Sequence, residues 1–152
     1  MPYTVFVSYD TSPEEQVFVY RLQTLASVSG ISVLLPQRNG QIITNETKIR
    51  IDSADVVIAF LTSKLTANVR EELSYAQGKE KLIIPIYEKG VRIQPLKNFH
   101  WFEYDPRSDT PGTIEQEVLK FLQTKKQEKQ NKNAVILVGL GLALLALIAS
   151  KE

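Results

Sequence analysis

Apolar positions along the first 122 residues fall into two alternating rhythms. Apolar runs rich in β-branched and aromatic residues recur at 3–8 (YTVFVS), 31–35 (ISVLL), 55–61 (DVVIAFL), 81–87 (KLIIPIY) and 100–104 (HWFEY). Runs of that length without strict alternation predict strands buried on both faces. The segments between them space their apolar residues three and four apart, the period of a helix. The first opens at SPEE, 12–15. There Ser12 suits the N-cap, Pro13 the first helical position and Glu15 the reciprocal end of a capping box. It runs to about 29, where Gly30 closes it. A short helix is expected over 45–52, a third over 66–77 before Gly78, and a closing helix over 113–127.

Buried strands alternating with helices indicate an α/β fold with helices on both faces of a parallel sheet. Right-handed crossovers would wind it into a flavodoxin-like, doubly wound, five-stranded sheet. Such sheets bind ligands at the carboxyl ends of their strands. Here those ends are Ser8-Tyr9-Asp10, the segment 36–40, Thr62-Ser63, and Tyr87 onward. Arg38-Asn39-Gly40 has the composition of a turn, either a plain surface turn or a mobile loop over a pocket. Asp55 is expected to cap or start the third strand, and Trp101 to belong to the core.

The chain ends differently. From 134 to 149 there are sixteen residues without a polar side chain (AVILVGLGLALLALIA), about 24 Å of helix at the usual rise. It is apolar all round and nothing amphipathic follows to cover it, so a membrane span over 134–150 is expected. The segment 123–133 before it holds four lysines against one glutamate, whereas 1–122 holds 13 Lys and Arg against 15 Asp and Glu. That bias predicts a single-pass C-terminal anchor with the main domain cytoplasmic. The chain divides accordingly into a folded domain (1–122), a basic linker (123–133) and a transmembrane helix (134–150). The domain has no basic surplus of the kind nucleic acid requires. With no cysteine and only His100, neither a thiolate nucleophile nor a transition-metal site is expected.

Two carboxylates stand side by side in the third helix. At about 100° per residue, Val69, Leu73 and Ala76 form one stripe that must face the sheet. Glu71 lies nearly opposite and is expected to point to water. Glu72 lies at the stripe's edge, near the helix start. It is either a boundary residue paired with a lysine or an inward carboxylate available for chemistry.

These blocks, in order, resemble a known family. TVFVSYD, GISVLLPQRNGQ, IRIDSADVVIAFLTS and NVREELSYAQGKEKLIIPI together look like a TIR (Toll/interleukin-1 receptor-like) domain of the prokaryotic type, over about 3–122. In enzymatic TIR domains the glutamate before the helix's first large aliphatic cleaves the nicotinamide–ribose bond of NAD. Glu72, followed by Leu73, falls there. The tyrosine after the first strand and the loop after the second line the pocket, which implies Tyr9 and Arg38, with Ser8 and Asn68 completing the binding set. Many active members carry an aromatic where this chain has Asn68, and arginines where it has Asp10-Thr11. The resemblance implies NAD as substrate, no prosthetic group and no metal. It also implies self-association through the loop 36–43, to which the tail would add a membrane-plane contact.

Three readings fit these residues. The first is a membrane-anchored TIR-domain NAD glycohydrolase or ADP-ribosyl cyclase acting in a defence or stress response. The second is a catalytically silent, self-associating TIR signalling module. The third is a nucleoside deoxyribosyltransferase-like enzyme, a related glutamate-based fold with a similar D-V-V-I … E-L-x-x-A … G-K run.

Overall fold

A computed structural model of the chain describes residues 3–10, 13–40, 42–61, 66–88, 102–105 and 113–130. Among the described residues the order is β1 (Tyr3–Ser8), α1 (Pro13–Val28), β2 (Ile31–Leu34), α2 (Asn45–Ser53), β3 (Val56–Leu61), α3 (Ala67–Gly78), β4 (Leu82–Glu88), β5 (Phe102–Tyr104) and α4 (Thr113–Gln130), strands and helices alternating as far as β4. The sheet is parallel throughout, in the order β2-β1-β3-β4-β5. The expected doubly wound α/β architecture is therefore what forms.

The sheet's two faces carry separate cores because strand side chains alternate. Tyr3, Val5 and Val7 of β1 pack with Phe18, Val19 and Leu22 of α1 and Val118 and Leu122 of α4. Phe6, the even member, packs on the other face with Ile51 of α2 and Val69, Leu73 and Ala76 of α3. The central β3 is buried along its whole length. Its side chains divide between both cores, which is why its sequence shows no alternation.

Helix ends follow the expected chemistry with small shifts. Gly30 takes φ +72° after α1, the left-handed conformation in which a side chain is strained. Thr44 caps α2 by accepting the Thr47 amide, and Thr66 caps α3 through the Val69 amide. Glu15 is buried, and its carboxylate accepts the Asp10 amide at 2.8 Å; its expected capping partner Ser12 lies outside the described residues. Helix α4 runs on to Gln130, so the first eight residues of the segment expected to be linker are helical. They dock on the amino edge of the sheet. Lys126 donates to the Ser29 carbonyl at 2.9 Å, and Lys129 meets Asp55 at 2.7 Å. Asp55 also accepts the Thr4 amide at 2.8 Å, joining the starts of β1 and β3. Among the described residues no helix is long and apolar enough to cross a membrane. The tail 134–150, Trp101 and Thr62-Ser63 lie outside them.

Candidate active site

In a 2-1-3-4-5 sheet the chain crosses from one side of β1 to the other between β2 and β3. That leaves a crevice at the carboxyl ends of β1 and β3. Ser8 is the last residue of β1, paired in register with Ala59 of β3. As an even-numbered residue it faces the α2–α3 side, like Phe6. Helix α3 starts beyond the end of β3 and packs that face through Val69, Leu73 and Ala76, the stripe read from the sequence. Glu72, at the stripe's edge, is thereby carried inward to 2% exposure.

The buried carboxylate is held from two sides. The Ser8 hydroxyl donates to Oε1 at 2.6 Å. Arg38 donates from Nη2 to Oε1 at 2.9 Å and from Nε to Oε2 at 3.0 Å. The partner is thus a forked guanidinium, not a lysine, and the fork matches both carboxylate oxygens. Its side chain is 15% exposed, so the pair is largely removed from water. Among the described residues three donors reach the carboxylate, two on Oε1 and one on Oε2.

Tyr9 follows Ser8, and Arg38 lies over its ring at 5.7 Å from the centroid, within cation–π range. Burial, above all, raises the Tyr9 phenol above its ordinary value, with Tyr20 adding to the rise and Arg38 opposing it. The phenol therefore stays neutral at ordinary pH, a donor rather than a charge. Asn68 lies in the first turn of α3, half-buried, one turn before Glu72. Ser8, Tyr9, Arg38 and Glu72 are brought together. Ser8, expected to meet a ligand, donates its hydroxyl hydrogen bond to Glu72, and Arg38, expected to do likewise, gives it two of its N–H groups.

Two features were not legible in the sequence. Glu71 does not simply point to water: it is half-buried, and its Oε2 accepts the Ile43 amide at 2.8 Å. A helical wheel could not find this, because the acceptor's partner is a loop backbone brought over by the fold. The loop is also held at its root. The Gln37 amide donates to Thr47 Oγ1 at 2.9 Å, the Thr44 hydroxyl to the Gln37 carbonyl at 2.5 Å, and Arg50 to the Leu35 carbonyl at 2.6 Å. Arg38 and Ile43 form an isolated antiparallel bridge, and Gly40 between them takes φ +125°. The expected turn is present, folded back so that Arg38 points at α3. Among the described residues no cluster of His, Cys, Asp and Glu could hold a metal ion.

A doubly wound α/β domain with a buried carboxylate, Glu72, held by Ser8 and Arg38 at its switch point is what fold and site define. The family profile described as TIR domain matches residues 5–118; the chain belongs to the TIR domain family. Among solved structures it is similar to the CMP N-glycosidase BcmB of Clostridium botulinum. That match has a TM-score of 0.55 at 19% identity and covers 80% of this chain and 98% of that one. It is also similar to the TIR domains of the activated Roq1 resistosome that recognises the pathogen effector XopQ. There the TM-score is 0.51 at 16% identity, over 95% of this chain and 82% of that one. A comparison with curated proteins finds none that matches.

Proposed function

We propose that this TIR domain cleaves the nicotinamide–ribose bond of NAD, with Glu72 as the catalytic carboxylate. The observation that carries the reading is Glu72 itself: an ionisable side chain 2% exposed at the switch-point crevice, oriented by Ser8 and Arg38. A buried ion pair adds little to stability once both charges have been desolvated. An oriented carboxylate at a ligand crevice has a chemical use. That a CMP N-glycosidase shares the fold supports a bond of the same type, from ribose C1′ to a base nitrogen.

The chemistry suits a lone carboxylate. The C1′–N bond breaks and its electron pair leaves with nicotinamide, whose ring nitrogen loses its positive charge and needs no proton. The sugar passes through an oxocarbenium-like state, which a nearby carboxylate stabilises. Water then adds to C1′ and releases a proton, giving ADP-ribose; attack by the substrate's own adenine gives the cyclic product instead. For Glu72 to act on the ribose, Arg38 must withdraw. A guanidinium about 3 Å away largely cancels the field a carboxylate exerts at a developing cation. The diphosphate of NAD is a bidentate acceptor that can take over the same fork. Tyr9 and Asn68 would line the nicotinamide end of the pocket.

The apolar tail would anchor the domain as a single-pass C-terminal span with residues 1–133 cytoplasmic. Helix α4 ends against the amino edge of the sheet, the edge opposite Glu72. Exposed Ile42 on the loop and Ile49 on α2 (75% and 65%) offer apolar surface for self-association, and a role in defence or stress signalling fits such assembly. A second reading, a silent signalling module, is favoured by the closed Arg38–Glu72 pair. One experiment separates them. The full-length chain in lipid vesicles, incubated with NAD, releases nicotinamide, and Glu72→Gln does not. Intact NAD with the wild-type chain at high surface density would establish the silent reading. Carbonate extraction of the full-length chain from membranes would sink the anchor.

A further inference from the structure

The neighbour of the catalytic candidate has its own task. Consecutive helical residues diverge by about 100°, so Glu71 and Glu72 reach different parts of one loop. Glu72 takes the Arg38 side chain and Glu71 takes the Ile43 backbone amide, at 2.8 Å. Arg38 and Ile43 are themselves cross-strand partners. These contacts form a closed circuit: α3 to Ile43, Ile43 to Arg38, Arg38 back to α3.

We propose that Glu71 is a positioning residue: its hold on the Ile43 amide presents Arg38 to the crevice. The proposal rests on the NAD reading for its catalytic meaning, not for its geometry. The physical reason lies in what ordering an arginine costs. Its long side chain has many rotamers to lose. Reaching a buried carboxylate is feasible only if the backbone beneath it is already placed. Thr44 and Thr47 tie the root of the loop to Gln37, and Glu71 holds the backbone at Ile43, directly opposite Arg38. Ile43 keeps its apolar contact with the α2–α3 core, but without Glu71 its amide loses the bond that fixes the backbone opposite Arg38, and Arg38 is less firmly presented to Glu72 or to a diphosphate. Asn, Asp and Gln at this helix position differ from Glu in reach or charge, and only Gln keeps both the length and an acceptor oxygen.

The test uses the 15N-labelled full-length chain without nucleotide. In the wild type, the Ile43 amide and the Arg38 Nε–H exchange slowly with solvent. Glu71→Ala speeds both by at least about tenfold. Glu71→Gln, whose amide oxygen can accept the same N–H, restores both to within a few-fold. With NAD, Glu71→Ala raises KM several-fold while kcat stays within about twofold, and Glu71→Gln returns KM. Protection of Arg38 Nε–H unchanged in Glu71→Ala overturns the proposal, as does failure of Glu71→Gln to restore it. If the exchange pattern holds while the wild type releases no nicotinamide, the clasp stands and the NAD reading falls.

Discussion

The two edges of the sheet use charge in opposite ways. At the amino edge, Lys129 meets Asp55 with side chains 43% and 23% exposed. Lys81 spends its ammonium on the carbonyls of Asp52 and Ala54, and Lys126 on that of Ser29. These are half-wet stitches between an ammonium and a chain end, each worth little and none costly to form. At the carboxyl edge a carboxylate 2% exposed and a guanidinium 15% exposed are closed on each other. Desolvating both is expensive, and a hydrophobic pair of the same volume would often serve stability as well. Charges that stability does not require, placed where a parallel sheet opens its crevice, mark a candidate site.

A third carboxyl sharpens the contrast. Glu115, near the start of α4, is as buried as Glu72, yet its Oε2 has no hydrogen-bond donor and its cationic neighbour Arg21 is 3.8 Å away. Burial raises the Glu115 carboxyl above the ordinary range, with Arg21 opposing. Burial alone therefore does not make an oriented carboxylate. The donors do.

The comparison can be broken at each of its members. The largest effect is expected at Glu72. Glu72→Gln keeps the volume and removes the charge, so nicotinamide release should fall by on the order of 100-fold or more while the far-UV circular dichroism is unchanged. A variant that retains activity would return Glu72 to the class of structural ion pairs. Next is Ser8→Ala, which strips a 2.6 Å donor from the buried carboxylate and should lower the unfolding free energy by about 1–3 kcal/mol. Denaturant titration measures this, and a loss below roughly 0.5 kcal/mol would show that Arg38 alone satisfies Glu72.

Glu115 gives a pH dependence of known sign. Its folded-state pKa is raised, so its contribution to stability is fully present below the unfolded value and is lost as pH rises through the folded one. Glu115→Gln should therefore gain on the wild type from pH 4 to pH 7 in unfolding titrations; a gap that is flat or narrows with pH would contradict the burial argument. The smallest effect belongs to the amino edge. Lys129→Ala should cost under about 1 kcal/mol, less still in high salt. A larger, salt-independent loss would mean that the edge is not the solvated stitching its exposures describe.

Periodicity along the chain was enough to place every strand and helix of the described residues to within a few positions. It also placed Val69, Leu73 and Ala76 inward, because burial demands are written locally, residue by residue, in the apolar pattern. The doubly wound, flavodoxin-like class followed from strands alternating with helices and from right-handed crossover, and the sheet order β2-β1-β3-β4-β5 agrees with that class. Glu72 was legible as a candidate from the wheel and from the TIR-like run around it. The rest was not, because it depends on where distant segments meet. That Ser8 would turn toward α3 and grip Glu72, sixty-four positions away, depends on strand register. Glu71 looked like a solvent-facing residue on its own helix and became an anchor only when the β2–α2 loop arrived. The lysines after 122 looked like a linker because charge is counted along the chain, whereas Lys126 and Lys129 are held by partners from the far side of the fold. Local pattern determines which elements form and which faces they bury. Long-range geometry alone decides which polar atoms come within 3 Å of one another, and the site consists of those contacts.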